Sequence, residues 1–215
     1  GWWWLAPVAV ALLLIAVRGT RVRFGVVLGL VFGFACYAVL LQWMRVVGDD
    51  AWILLTLLMS AWSALLGGLL AAVSRHRWWP LWSAGVWVLV EAGEARAPFN
   101  GFNWGRLAYT QPDTWATPIA VWGSAVAVTF VVALVGALLA AAAIALRHRD
   151  TRGVVVTSLL AAAIVAGTAI APRVSISDAG ESLKGPASAT VAIVQGNVPR
   201  VGLDFLGQRE AVLNN

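Results

Sequence analysis

The stretch WILLTLLMSAWSALLGGLLAAV, residues 52–73, decides the fold class of this chain. It contains no charged side chain, and a helix needs about 20 predominantly apolar residues to cross the hydrocarbon core of a membrane. A lone strand in lipid would leave its backbone amides and carbonyls without hydrogen-bond partners, so the stretch must be helical. It predicts a transmembrane helix.

Further apolar runs lie on both sides of this stretch, and together they predict an all-α polytopic membrane helix bundle over residues 1–172. In chain order the six predicted helices cover residues 2–17, 22–44, 52–73, 78–90, 119–146 and 154–171. The composition agrees, because 60% hydrophobic and only 12% charged residues lie far from the balance of a soluble domain. The protein is therefore expected to be an integral membrane protein.

Arginines are concentrated in alternate links between the predicted helices. The links after the first, third and fifth runs carry Arg18, Arg21, Arg23, Arg75, Arg77, Arg147, Arg149 and Arg152. Because basic loops stay in the cytoplasm, we expect residues 91–118 and 172–215 to be extracytoplasmic in a multi-pass protein of the cell (plasma) membrane. The net charge of +5 follows from these short clusters. Membrane topology explains them better than nucleic-acid binding does, and no nucleic-acid partner is predicted.

The few residues that could bind a metal or act as nucleophiles are isolated from one another. Cys36 is the only cysteine, which excludes an internal disulfide and a cysteine metal site. It lies in an apolar run without a base beside it, so we expect it to pack in the bundle. His76 and His148 accompany arginines in links and predict surface positions. Lys184 is predicted to be solvated, and we expect no metal site and no cofactor.

Two further patterns concern helix faces. Gly25, Gly29 and Gly33 recur at four-residue intervals and predict a close helix approach, within the bundle or in a dimer. Glu91 and Glu94 are spaced to share a helix face. They fall at the predicted outer boundary of the fourth helix, where acidic side chains can remain hydrated.

The composition changes after Pro172. Residues 173–189 are polar and rich in Ser, Gly and Ala, which is typical of a linker. The stretch TVAIVQGNVPR, residues 190–200, predicts a buried strand that enters a turn, and a helix could begin after Asp204. One strand and one helix cannot bury a core of their own. Residues 190–215 are therefore expected to begin a truncated α/β domain, and the chain, which starts with Gly1, looks like a segment of something longer.

The loop GFNWGRLAYTQPD, residues 101–113, combines aromatics, an arginine and glycines between two apolar runs. One hypothesis is that the aromatics wedge into the membrane interface while Arg106 meets a lipid phosphate. The alternative is an ordinary interfacial aromatic belt, with Gly101 and Gly105 permitting a tight turn. The candidate lipid-binding residues are Phe102, Trp104, Arg106, Tyr109 and Gln111.

The order of these motifs resembles the apolipoprotein N-acyltransferases, and the composition is similar to that of their actinobacterial members. The residues that match the family are Gly101, Phe102, Trp104, Gly105, Leu107, Tyr109, Thr110 and Gln111 in the loop, then Val194, Gln195, Gly196, Asn197 and Pro199. Asn103 stands where the family loop usually has proline. The resemblance implies a nitrilase-like (carbon–nitrogen hydrolase) domain that begins near residue 190 and lies between the last two membrane helices.

The resemblance also implies an activity. Family members transfer an acyl chain from a phospholipid to the N-terminal amine of a diacylglyceryl-cysteine on a lipoprotein, through a glutamate, a lysine and a cysteine of the nitrilase-like domain. No catalytic residue can be assigned in residues 1–215, so this segment alone is expected to be inactive, anchoring the catalytic domain and shaping lipid access.

Two alternatives remain open. One is a noncatalytic scaffold with a polyprenyl-phosphate mannosyltransferase as its partner. The other, a transporter, is disfavoured because the apolar runs have no charge at their centres.

Overall fold

Six α-helices and three short 3₁₀ turns make up the described part of the chain, residues 1–98 and 100–170 of a computed structural model. The α-helices are α1 (Leu5–Val17), α2 (Val22–Leu40), α3 (Asp49–Val73), α4 (Trp79–Glu94), α5 (Ala120–Arg147) and α6 (Thr151–Ile170). The linker and the start of the α/β domain predicted after residue 172 lie outside the described residues.

Four helical segments are long and apolar enough to cross a membrane: Val22–Leu40, Asp49–Val73, Thr117–Arg147 and Thr151–Ile170. Helix α1 is a shorter apolar helix. Large apolar side chains of α2 and α6, such as Val39 and Leu159, are exposed. Such a surface suits a lipid environment, where a helix satisfies its own backbone polar groups. The predicted polytopic helix bundle is confirmed.

The helix ends differ from the apolar runs where local hydrogen bonds decide them. Helix α2 ends at Leu40 and is followed by a 3₁₀ turn, Gln42–Val46. Helix α6 begins earlier than its run, because the Asp150 carboxylate accepts the Gly153 N–H at 2.9 Å and caps the first turn. Helix α5 is interrupted at Gly123 and Ser124, whose backbone angles are not helical.

Helices α2 and α3 approach each other closely along a face of small residues. Gly25, Gly29 and Gly33 are buried against α3. A Cβ atom added at Gly29 would collide with the Ser63 carbonyl oxygen and lie 2.9 Å from the Gly67 Cα. The glycine face therefore serves packing inside the bundle, one of the two uses that its spacing predicts.

The three arginine-rich links meet at one end of the bundle. Arg18, after α1, donates to the Ser74 carbonyl at 3.2 Å, and its guanidinium lies 4.3 Å above the Trp79 ring. The α5–α6 link reaches the same place, because His148 lines a cavity together with Arg18 and Trp79. The 101–113 loop lies at the opposite end, together with the beginning of α1.

Candidate functional site

An apolar chamber lies between the helices, directly beneath the 101–113 loop. Its volume is about 580 Å³. Helices α1, α2, α3 and α4 form its walls, with side chains such as Leu5, Phe32 and Val90, and loop residues Gly105 and Leu107 close its top. Binding sites for small molecules and cofactors are typically clefts of about 300–1,000 Å³ with mostly apolar walls and a few polar groups. This chamber has that character.

Glu91 is the best-satisfied polar group of the chamber. One carboxylate oxygen, Oε1, accepts the Leu107 backbone N–H at 2.8 Å and the Trp87 indole N–H at 3.2 Å. The other, Oε2, accepts the Thr129 hydroxyl at 2.8 Å. Two of these bonds join α4 to the loop and to α5, and the third, from Trp87, lies within α4; Glu91 thus holds the roof of the chamber in place.

Glu94 lines the chamber beside it, one helical turn further on. Its Oε1 accepts a hydrogen bond of 2.6 Å from the Tyr37 hydroxyl of α2, and its backbone carbonyl accepts the Phe102 N–H at 2.9 Å. The residue is only 7% exposed. The helix boundary would allow both carboxylates to stay hydrated, but α4 continues to residue 94 and both of them line the chamber. Their predicted common face is confirmed.

Arg106 stands close to these carboxylates without being paired to them. It is half-buried, and its Nε is shielded from solvent without a hydrogen-bond partner in the structure. No ion pair joins Arg106 to Glu91 or Glu94. A buried, unsatisfied guanidinium nitrogen is costly and indicates either an unused donor or a group that a ligand completes.

The loop aromatics divide into a partly buried member and exposed ones. Phe102 packs against Tyr37, Leu41 and Met59. Trp104 is 65% exposed, and its ring is stacked at 5.5 Å between centroids with Trp43, which follows α2. Tyr109 is also exposed. The structure thus brings Phe102 and Trp104 together in one stack, with 6.1 Å between their centroids.

Gln111 has a different environment from the other candidates. It is 2% exposed, and its amide nitrogen donates to the Trp3 carbonyl at 3.0 Å. Its side-chain oxygen accepts the Thr114 hydroxyl at 3.1 Å. Both ends of the amide are thus engaged within the protein, and Gln111 fixes the loop to the start of α1 rather than facing the membrane interface.

The loop glycines allow close packing at two points. Gly101 has a φ of +78°, and a Cβ there would collide with the backbone of Ala95. A Cβ at Gly105 would lie 2.7 Å from the Tyr37 ring. The tight turn expected from these glycines is present.

Cys36 is not packed as predicted. Its side chain is exposed and lines the edge of the chamber. Among the described residues no group of three or more histidine, cysteine, aspartate or glutamate side chains could hold a metal ion.

Sequence reasoning did not find Tyr37, Trp87 and Thr129 as site residues. Each contacts a glutamate that is distant in the chain or one turn away. The available signal was the pair of acids at the end of an apolar run, since acidic residues at membrane depth usually have partners.

Comparison with known proteins gives the family. Residues 1–138 match the model of the apolipoprotein N-acyltransferase N-terminal domain. The chain is 36% identical to the apolipoprotein N-acyltransferase of Mycolicibacterium smegmatis over the whole chain and 38% of that protein. It is 28% identical to the one of Shewanella oneidensis over 92% of the chain and 39% of that protein. The chain thus spans about two-fifths of the length of these relatives, and it belongs to the apolipoprotein N-acyltransferase family.

Proposed function

We propose that this chain is the membrane part of an enzyme that transfers an acyl chain from a phospholipid to the N-terminal amine of diacylglyceryl-cysteine on lipoproteins. The bundle, residues 1–172, anchors a nitrilase-like domain that starts near residue 190 after the linker at 173–189. The observation that carries the proposal is an apolar chamber roofed by a loop with an unpaired arginine.

The chamber supplies shape rather than hydrophobic driving force. A phospholipid tail in a bilayer is already in an apolar medium, so moving it against Phe32, Leu66 and Val90 gains little from leaving water. Selection of a lipid must then depend on fit and on polar contacts with its headgroup. Polar groups at the roof of the chamber include Arg106 of the loop and the carboxylates of Glu91 and Glu94.

Arg106 is the group suited to a lipid phosphate. A guanidinium can present two parallel N–H donors to phosphate oxygens, and a partly desolvated one binds more strongly than one in water. The buried Nε of Arg106 would acquire the acceptor that it lacks in the protein. Trp104 and Tyr109, exposed beside it, suit the headgroup region, where amphipathic rings are favoured.

The direction of the helices supports a common location for lipid and chemistry. Helix α6 leaves the arginine-rich end and contacts the turn Thr117–Ile119 near the 101–113 loop. Helix α6 therefore ends at the chamber end of the bundle. With the arginine-rich links in the cytoplasm of a plasma-membrane protein, residues 91–118 and 172–215 are extracytoplasmic. The glutamate, lysine and cysteine implied by the family then act on that side, and the thioester formed on the cysteine is attacked by the lipoprotein amine.

The test is acyl transfer by the full-length protein with phospholipid and diacylglyceryl-peptide in defined vesicles. Arg106→Gln should lower kcat/KM about tenfold, mostly through a higher KM for the lipid, because one charged hydrogen bond is lost. Arg96→Gln is the matched control, since Arg96 is exposed and its side chain, within the described residues, donates only to the Ala92 carbonyl.

Two results would count against the proposal. Equal kinetics for Arg106→Gln and Arg96→Gln would show that Arg106 does not bind the lipid phosphate. A folded full-length protein without any acyl transfer would favour the scaffold alternative, whose partner is a polyprenyl-phosphate mannosyltransferase. The isolated segment, residues 1–215, should be inactive in the same assay, and turnover by it would contradict the assignment of the chemistry to the following domain.

A further inference from the structure

A second cavity lies at the arginine-rich end, far from the chamber. Its volume is about 280 Å³, and it lies between α1, α4, α5 and the start of α6. Three ionisable side chains, Arg18, His148 and Asp150, line it together with the Trp79 ring. Arg18 belongs to the link after α1, Trp79 begins α4 directly after the link that follows α3, and His148 and Asp150 belong to the link after α5. The cavity therefore forms where the three arginine-rich links converge.

Arg18 is held in position at the wall of this cavity. Its Nη1 donates to the Ser74 carbonyl, and its plane lies over Trp79, which is almost completely buried. A guanidinium has five N–H donors. Only one of them has a protein acceptor among the described residues, so the remaining donors of a pre-oriented cation are available to an anion in the cavity.

Asp150 gives the cavity a second kind of group. One of its oxygens, Oδ1, accepts the Gly153 N–H at the start of α6, which fixes the carboxylate. Its other oxygen, Oδ2, has no donor among the described residues. A bare phosphate would be repelled by this carboxylate. A ligand with a hydroxyl group beside its phosphate could instead satisfy Arg18 and Asp150 together.

The remaining wall is apolar and extends along the bundle. Ala141, Ile144 and Ala145 of α5 form it with Thr157 of α6. Two of these side chains, Ala141 and Ala145, are small, and Ala141 lies about two helical turns before His148, so this wall extends from the arginines toward the middle of α5. A ligand with a charged head and an apolar tail matches a cavity with a charged end and an apolar wall better than a soluble anion does.

We propose that this cavity binds an anionic phospholipid whose headgroup carries hydroxyls, of the phosphatidylglycerol kind, in the arginine-bearing leaflet. The phosphate contacts Arg18 and the His148 ring, a headgroup hydroxyl donates to Asp150, and one acyl chain follows the apolar wall. The exposed Arg147, Arg149 and Arg152 raise the local concentration of anionic lipid. This site is independent of the proposed acyl transfer.

The experiment measures lipid retention by native mass spectrometry and the unfolding temperature of the purified protein in phosphatidylcholine nanodiscs. Phosphatidylglycerol, phosphatidic acid or inorganic phosphate is added in separate arms. Phosphatidylglycerol should be retained and should raise the unfolding temperature, phosphatidic acid should act more weakly, and inorganic phosphate should have no effect. Equal retention of the two lipids, or stabilisation by inorganic phosphate, would overturn the proposal.

Variants separate the cavity from the general positive charge. His148→Gln, at an exposed position where folding is not at risk, and Arg18→Gln should each weaken phosphatidylglycerol retention, Arg18→Gln by about tenfold. Arg23→Gln removes an exposed arginine at the same end that does not line the cavity. An equal loss in Arg23→Gln and His148→Gln would mean that only the surface charge attracts the lipid.

Asp150→Asn tests the hydroxyl contact. Asparagine keeps the oxygen that caps α6, so the fold is preserved, while the negative charge is removed. Phosphatidic acid should then bind as well as phosphatidylglycerol. An unchanged preference for phosphatidylglycerol in this variant would exclude Asp150 from the headgroup contact and overturn that part of the site.

Discussion

The Tyr37 hydroxyl donates a 2.6 Å hydrogen bond to the Glu94 carboxylate across the apolar chamber, from α2 to the end of α4. Glu94 also receives the Phe102 N–H on its backbone carbonyl. A single residue therefore connects α2, α4 and the loop above them. In a largely apolar environment such a bond is costly to break, because either partner left alone remains buried.

Tyr37→Phe should lower the free energy of unfolding by about 1–3 kcal/mol, since it leaves the Glu94 carboxylate without its side-chain donor. Glu94→Gln should cost less, because the amide oxygen can still accept the tyrosine hydroxyl. A double-mutant cycle in detergent or nanodiscs measures the coupling. Additive effects of the two substitutions would show that the bond contributes nothing of its own.

Gly29→Ala should destabilise the bundle by about 1–3 kcal/mol, because the new methyl group collides with backbone atoms of α3. Gly85→Ala is the matched control: Gly85 is also a helical glycine, but a Cβ there meets no atom within 4 Å. That control should be neutral or slightly stabilising. Thermal unfolding of the two variants compares them directly, and equal unfolding temperatures would contradict the close α2–α3 contact.

Glu91→Ala should loosen the roof of the chamber, because Leu107, Trp87 and Thr129 lose a common acceptor. We expect faster proteolysis within residues 101–113 and a higher KM for the lipid in the full-length protein. Glu91→Gln should have a smaller effect. Its amide oxygen can still accept hydrogen bonds, and its amide nitrogen can donate to the Thr129 hydroxyl. Unchanged proteolysis in both variants would show that Glu91 does not hold the loop in place.

Trp104→Ala tests whether the loop aromatics do more than form an interfacial belt. Trp122 is the control, because it is 69% exposed, close to the 65% of Trp104, but lies in α5 outside the loop. If Trp104 acts with Trp43 on the lipid, only Trp104→Ala raises the lipid KM, by severalfold. The same change in both variants would identify the aromatics as a general belt.

The bundle could be predicted because its determinants are local. An uninterrupted apolar run specifies a helix in lipid wherever the rest of the chain lies. The arginines occur in alternate links, which predicts that Arg18, Arg75 and His148 lie at the same end of the bundle. The burial of the glutamates depends instead on distant residues. Nothing near Glu94 in the sequence indicates the Tyr37 hydroxyl, 57 residues earlier.

Gln111 illustrates the same limit for the loop. As part of an aromatic, polar loop at a helix boundary it reads as a ligand contact, but its amide bonds to Trp3, 108 residues away. Such long-range hydrogen bonds are decided by how the helices pack. The exposure of an aromatic such as Trp104 depends less on how the helices pack, so its position at the surface of the loop can be predicted from the sequence.

The glycine contact between α2 and α3 has a mechanical consequence. Around Gly29 and Gly67 the two backbones are in direct contact, so few side-chain rotamers can change there, and these two helices form a stiff wall behind the chamber. If the chamber expands to bind a bulkier ligand, the movement must then occur on the opposite side, by displacement of α1 and of the loop that Gln111 joins to it.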